Sequence, residues 1–125
     1  MNIEEIREYC LKKAGVTEGF PFDEVTLVFK VGGKMFLLAD LERAGRINLK
    51  GRPEAILKRR EHYPGAVFPA YHMNKKHWCT VLTDSEIPEV ELRAWIDASY
   101  RLVRDSLPKK VRETLGHEGN AEEIT

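Results

Sequence analysis

The stretch Asn74-Lys75-Lys76-His77 crowds cations and hydrogen-bonding groups together, and two more lysines, Lys30 and Lys34, flank the dipeptide Gly32-Gly33. Cations held on hairpin tips can reach the phosphates of a nucleic acid, while an amide and an imidazole beside them supply hydrogen bonds. Arg46, Lys50 and Arg52 extend the basic character through the middle of the chain. Other chemistries would draw on the same region. His62, His72 and His77 suggest a metal, but no Cys, Asp or Glu cluster stands at a ligand spacing around them, so no metal or cofactor is expected. Cys79 lies near Lys75, Lys76 and His77, cations that lower a thiol pKa, yet in a strand-like run a buried thiol is the simpler expectation. Trp78 stacks on a base if it is exposed and packs into the core if it is not.

Signatures of the common enzyme classes are missing: the chain has no GxSxG, no GxxxxGK[ST], no HExxH and no GxGxxG after a strand. No nucleophile, base and orienter can be assembled, so an enzyme is not expected. The 125 residues balance 20 Lys+Arg against 20 Asp+Glu, which by itself argues against a polyanionic partner. The balance is uneven along the chain. Residues 1–42 carry a net charge of −3, residues 43–80 carry +7 and residues 81–125 carry −4. A neutral protein can therefore present one basic surface, provided that the fold brings these cations together; otherwise they are ordinary solvated charges. The start MNIEEIREYC lacks the basic-then-apolar pattern of a signal peptide, no apolar run is long enough to span a membrane, and Cys10 and Cys79 are in no CxxC spacing. A cytoplasmic protein with reduced thiols and no membrane partner is expected.

The elements that must position these residues are legible from spacing. Asn2 and Glu5 form a capping box ahead of the stripe Ile3, Ile6, Cys10 and Leu11, a first helix. Thr26 to Val31 and Lys34 to Ala39 read as strands closed into a hairpin by Gly32-Gly33, with Leu27, Phe29 and Val31 on the core face. Arg46 to Lys50 alternates as a third strand with a basic outer face. Pro53 opens a helix running to about His62, with Ile56 and Leu57 inward. Phe68 to Met73 and Trp78 to Thr83 suggest a second hairpin tipped by Lys75 and Lys76. Pro88 opens a long helix whose stripe is Leu92, Trp95, Ile96, Ser99, Tyr100 and Val103, and Lys109 to Leu115 can form one more short helix. The pattern predicts an α+β two-layer sandwich, an antiparallel sheet packed against N- and C-terminal helices. One domain is expected over residues 1–116, with a polar, acidic, disordered tail over residues 117–125.

The chain resembles the MmcQ/YjbR family of small bacterial proteins. The resemblance rests on FPF at 20–22, VFKVGGKMFLL at 28–38, NLKGRPE at 48–54, YPGAVFPAYHMNKKHW at 63–78 and the Ser99-Tyr100 pair. It implies a CyaY-like fold, related in shape to frataxin, and DNA binding through a double-wing arrangement of β elements. The matching positions that carry cations are Lys34, Lys50, Lys75 and Lys76, with His72, Asn74, His77 and Trp78 beside them. A frataxin-like iron role does not transfer, because Glu4, Glu5 and Glu8 are diluted by Arg7, Lys12 and Lys13 on the first helix.

Two readings follow. In the first, the chain is a non-catalytic, monomeric DNA-binding protein, weakly sequence-specific and accessory to regulation. It would contact the duplex through Lys30, Lys34, Arg46, Lys50, Arg52, Asn74, Lys75, Lys76 and His77. In the second, the strand surface around Tyr71, His72, Asn74 and Trp78 forms a pocket for a protein or an anionic small ligand, or those aromatic residues serve the sheet alone.

Overall fold

Asn2 starts the first helix as its spacing predicts. In the computed structural model, which describes residues 1–116, Asn2 Oδ1 accepts the Glu5 amide at 2.8 Å and Glu5 Oε1 accepts the Asn2 amide at 2.9 Å. Helix α1 (Ile3–Leu11) leads into β1 (Val16–Gly19), β2 (Thr26–Val31), β3 (Lys34–Asp40) and β4 (Arg46–Lys50). Then come α2 (Pro53–His62), β5 (Val67–Pro69), β6 (Trp78–Leu82), α3 (Glu89–Asp105) and α4 (Lys109–Thr114). The six strands form one antiparallel sheet in the order β1-β2-β3-β4-β6-β5. The expected α+β two-layer architecture is what the chain adopts. The acidic tail expected over residues 117–125 lies outside the described residues.

One face of the sheet carries the main core. Leu27, Phe29, Val31, Leu37, Ile47, Leu49 and Val81 pack there against Ile6 and Cys10 of α1, Ile56 of α2 and the α3 stripe Leu92, Trp95, Ile96, Tyr100 and Val103. Three expectations are corrected. Leu57, read as inward, is exposed because Ile56 alone fills the position facing the sheet. Val16–Gly19 is a strand that the sequence did not announce, since its four residues include Glu18 and Gly19 and it gains its conformation by pairing with the edge of β2. The strand expected over Phe68 to Met73 stops at Pro69. Beyond it the chain turns back over the open face of the sheet, where Ala70 is buried with Val28, Leu38 and Trp78, and Met35 and Met73 pack around them. Covering apolar residues that the helices leave bare outweighs the strand propensity of this segment.

The pairing of β2 with β3 slips between Phe29 and Lys30, so Phe29 opposes Leu37 while Lys30 opposes Met35. The additional residue, Phe36, turns into the core and meets the Tyr100 ring edge-on at 5.5 Å. A bulge leaves backbone groups without ladder partners, and here α3 supplies one: Ser99 Oγ donates to the Phe36 carbonyl at 2.5 Å and accepts the Lys50 amide at 2.9 Å. Ser99→Ala is expected to cost about 2 kcal/mol, because it strands a buried carbonyl and an amide at once. Urea unfolding measures this, and a loss under about 0.5 kcal/mol would show that the clamp is idle.

Candidate nucleic-acid interface

Antiparallel register decides which loops share an end of the sheet. Leu37 opposes Leu49 and Lys50 opposes Trp78, so the β2–β3 turn, the end of β4 and the 70–77 segment all emerge together. The Gly51 amide donates to the His77 carbonyl at 2.9 Å and closes that end. Lys30, Lys34, Lys50, Arg52, Asn74, Lys75, Lys76 and His77 therefore lie on strands and connections that meet at this end, while residues 70–73 fold back over the open face toward Arg46. Arg46 does not belong there. It occupies the opposite end of β4 from Lys50, about 13 Å away at the usual rise of an extended strand. Asp23, Glu24, Glu42, Asp84 and Glu86 sit on the connections at Arg46's end, with Asp40 closing β3 there and Arg43 beside Glu42. The neutral chain thus resolves into a basic pole and an acidic pole.

Each tip at the basic pole is braced. Gly32 and Gly33 have φ of 57° and 84°, a pair of left-handed residues that closes a two-residue turn matching the strand twist. A Cβ on Gly32 would lie 2.5 Å from Leu107 Cδ1, so the turn is seated on the junction of α3 and α4. That contact brings α4 to the basic pole, with Lys109, Lys110 and Arg112 exposed around the half-buried Val111. Charge counting missed these residues, because the acidic tail outweighs them in any long window. The local signal was there: Pro108 followed by cations spaced around one apolar residue.

The second tip is a braced loop and not the β-ribbon expected. Asn74 Oδ1 accepts the Lys76 amide at 2.9 Å, and the Asn74 carbonyl accepts the amides of His77 and Trp78 at 3.1 and 2.9 Å. Asn74 therefore shapes the turn that presents Lys75 and Lys76, both exposed. The Lys75 ammonium lies 5.5 Å from the Tyr71 ring and the Lys50 ammonium 6.0 Å from Trp78. Aromatic faces orient both cations while leaving them accessible.

Trp78 itself is only 8% exposed and belongs to the small cluster on the open face, so it is placed to pack and not to stack on a base. Tyr71 and His72 separate from it. They line a groove of about 310 Å³ with Arg43, Arg46, Asn48 and Thr80, whose floor is set by a Thr80 Oγ1 to Asn48 Oδ1 hydrogen bond of 2.6 Å. Both cysteines are free and buried. Burial pushes the Cys10 thiol up to about 12, and burial also raises the Cys79 thiol against the opposing charge of Arg59. Among the described residues, no group of three His, Cys, Asp or Glu side chains could hold a metal ion, and no helix is long and apolar enough to cross a membrane.

Residues 11–102 match the family model described as YjbR. The chain is 45% identical over 108 residues to the Escherichia coli O157:H7 protein named uncharacterized protein YbdF, covering 86% of this chain and 88% of that one. It is 33% identical over 117 residues to uncharacterized protein YjbR of Escherichia coli K12, covering 92% and 98%. The crystal structure of Deinococcus radiodurans protein DR2400, with its DUF419 domain, superposes with a TM-score of 0.86 at 35% identity over 98% of this chain and 94% of that chain. A Pseudomonas syringae protein of known structure superposes with a TM-score of 0.69 at 27% identity, covering 82% and 99%.

Proposed function

We propose that this chain, which belongs to the YjbR family, is a non-catalytic cytoplasmic protein that binds duplex DNA by its basic pole, as a monomer and accessory to regulation. The observation that carries the reading is the gathering of Lys30, Lys34, Lys50, Arg52, Lys75 and Lys76 at one end of a neutral molecule, with α4 alongside. From β2 to β6 this end spans three interstrand spacings, about 14 Å. A duplex carries one charge per roughly 1.7 Å of its axis, so a surface of that width faces several phosphates. Most of these cations are lysines, which act as point charges without the forked geometry that reads guanine. Binding that follows the backbone with little sequence preference is the consequence.

Anisotropy of a labelled duplex of arbitrary sequence, titrated at several salt concentrations, tests this. With four to six phosphates neutralised, log Kd should change with log salt at a slope of magnitude roughly 4 to 5. Binding that does not weaken with salt, or no binding at low salt, would overturn the reading.

The groove beside Tyr71 and His72 favours a second reading, a binding domain for an anionic small ligand. Arg43 and Arg46 supply cations there and Asn48 and Thr80 supply hydrogen bonds, although Asp40 and Glu42 line the same groove. A ligand held there would protect the groove residues from amide exchange and leave the basic pole untouched.

A further inference from the structure

A cleft of about 250 Å³ separates α2 from α3 on the helical layer, and its walls carry Arg52, Arg59 and Arg101. One carboxylate, Asp105, stands among them, so three positive charges face one negative charge. Ala55 and Ala98 line the cleft with small side chains, while the space at Gly51 is taken by Arg59 Nη1 and Ile56, which a Cβ there would meet at 3.1 Å. The Arg59 guanidinium packs 4.9 Å from the Trp95 ring, which fixes it across the gap between the two helices. Its Nη1 is buried and has no hydrogen-bond partner among the described residues, and the one polar group that the guanidinium faces inside the protein is the Cys79 thiol, a weak acceptor. A buried cationic donor without a partner is rare in native proteins, and an absent anion is one of its ordinary causes.

The start of α2 points the same way. Arg52 caps it without a side-chain hydrogen bond, Pro53 has no N–H, and the Ile56 amide is the first to bond the Arg52 carbonyl. The amides of Glu54 and Ala55 are thus the free donors of the first turn, and Ala55 lines the cleft.

We infer that this cleft binds a phosphomonoester. The net charge of the walls matches a phosphate that carries a charge of about −1.5 to −2 at neutral pH, and a diester would satisfy only half of it. Guanidinium groups suit the tetrahedral oxygens through paired N–H donors. Such an ester could be a free phosphorylated metabolite or the phosphorylated end of a nucleic acid, and both present the same group. The cleft shares Arg52 with the basic pole, but Lys75 and Lys76 are not among its walls.

Methyl phosphate and dimethyl phosphate, titrated into ¹⁵N-labelled protein, distinguish the dianion from the monoanion. Methyl phosphate should shift the amides of residues 51–59 and 98–105, and dimethyl phosphate should bind about tenfold more weakly or worse. Arg101→Gln, at an exposed position on α3, should weaken methyl phosphate by about tenfold with the fold intact by circular dichroism. Lys75→Glu with Lys76→Glu should leave it unchanged. Ribose 5-phosphate, and a short oligonucleotide with either a 5′-phosphate or a 5′-hydroxyl, then identify the source of the group. Equal binding of the two methyl esters, shifts that survive Arg101→Gln, or no shift at millimolar methyl phosphate would each overturn the inference.

Discussion

Replacing Lys75 and Lys76 with glutamate is expected to weaken duplex binding by at least about 30-fold at physiological salt, and by about a hundredfold once repulsion is added. Each lost phosphate contact removes about 0.9 from the salt slope and close to a decade of affinity at that ionic strength, and reversal adds two charges that the duplex repels. The fold should hardly change. Both side chains are exposed, and what the turn requires of Lys76 is its backbone amide, which bonds Asn74 whatever side chain follows. A melting temperature within about 2 °C of the parent is the expected control. The sharper control is Arg43→Glu with Lys58→Glu, two exposed positions away from the basic pole. It lowers the net charge by the same amount, so it should leave affinity nearly intact if the pole is the contact surface. Equal losses from both pairs would mean that net charge and not the pole governs binding. No loss from Lys75→Glu with Lys76→Glu would remove the 70–77 loop from the interface altogether.

How far the sequence reveals this surface depends on the range of the interaction that builds each part. The capping box at Asn2, the Gly32-Gly33 turn and the α3 stripe are local patterns, and all three form as their spacing predicts. Strand β1 is not local: VTEG becomes extended because β2 offers it an open edge. The segment from Ala70 to His77 leaves the sheet because Val28 and Leu38, some thirty residues and more away in sequence, need a cover. Spacing also cannot separate Lys50 from Arg46, which share one face of one strand and differ only in which end they occupy. That distinction needs the register of β4 on β6, a tertiary fact. The Ser99-Tyr100 pair was visible as part of a family pattern, yet its role is structural. Ser99 clamps the β3 bulge, and the Tyr100 hydroxyl donates to the Ala14 carbonyl at 2.6 Å, fixing the chain where α1 hands over to β1.

Asp97→Ala should be the most damaging single truncation among the polar contacts described, costing about 3 kcal/mol. Asp97 Oδ1 accepts from the Lys13 ammonium at 2.5 Å and from the Tyr9 hydroxyl at 2.7 Å, so one carboxylate ties the end of α1 to the middle of α3. The Lys13 side chain is 7% exposed and lies 4.6 Å from the Tyr9 ring and 5.4 Å from the Tyr100 ring. Withdrawing the carboxylate takes the shared acceptor from a buried ammonium and a hydroxyl at once, and the side-chain exposure of Asp97, 27%, holds the figure to the low end of what fully buried pairs show. Two further variants separate charge from contact. Asp97→Asn keeps an acceptor for Tyr9 and should lose less than Asp97→Ala. Lys13→Met combined with Asp97→Ala removes the ammonium together with the carboxylate that accepted from it, and should be more stable than Asp97→Ala alone. Urea unfolding at constant m reads all three. If the double variant were the least stable, Lys13 would be holding α1 by its aliphatic packing, and the carboxylate would be secondary to that contact.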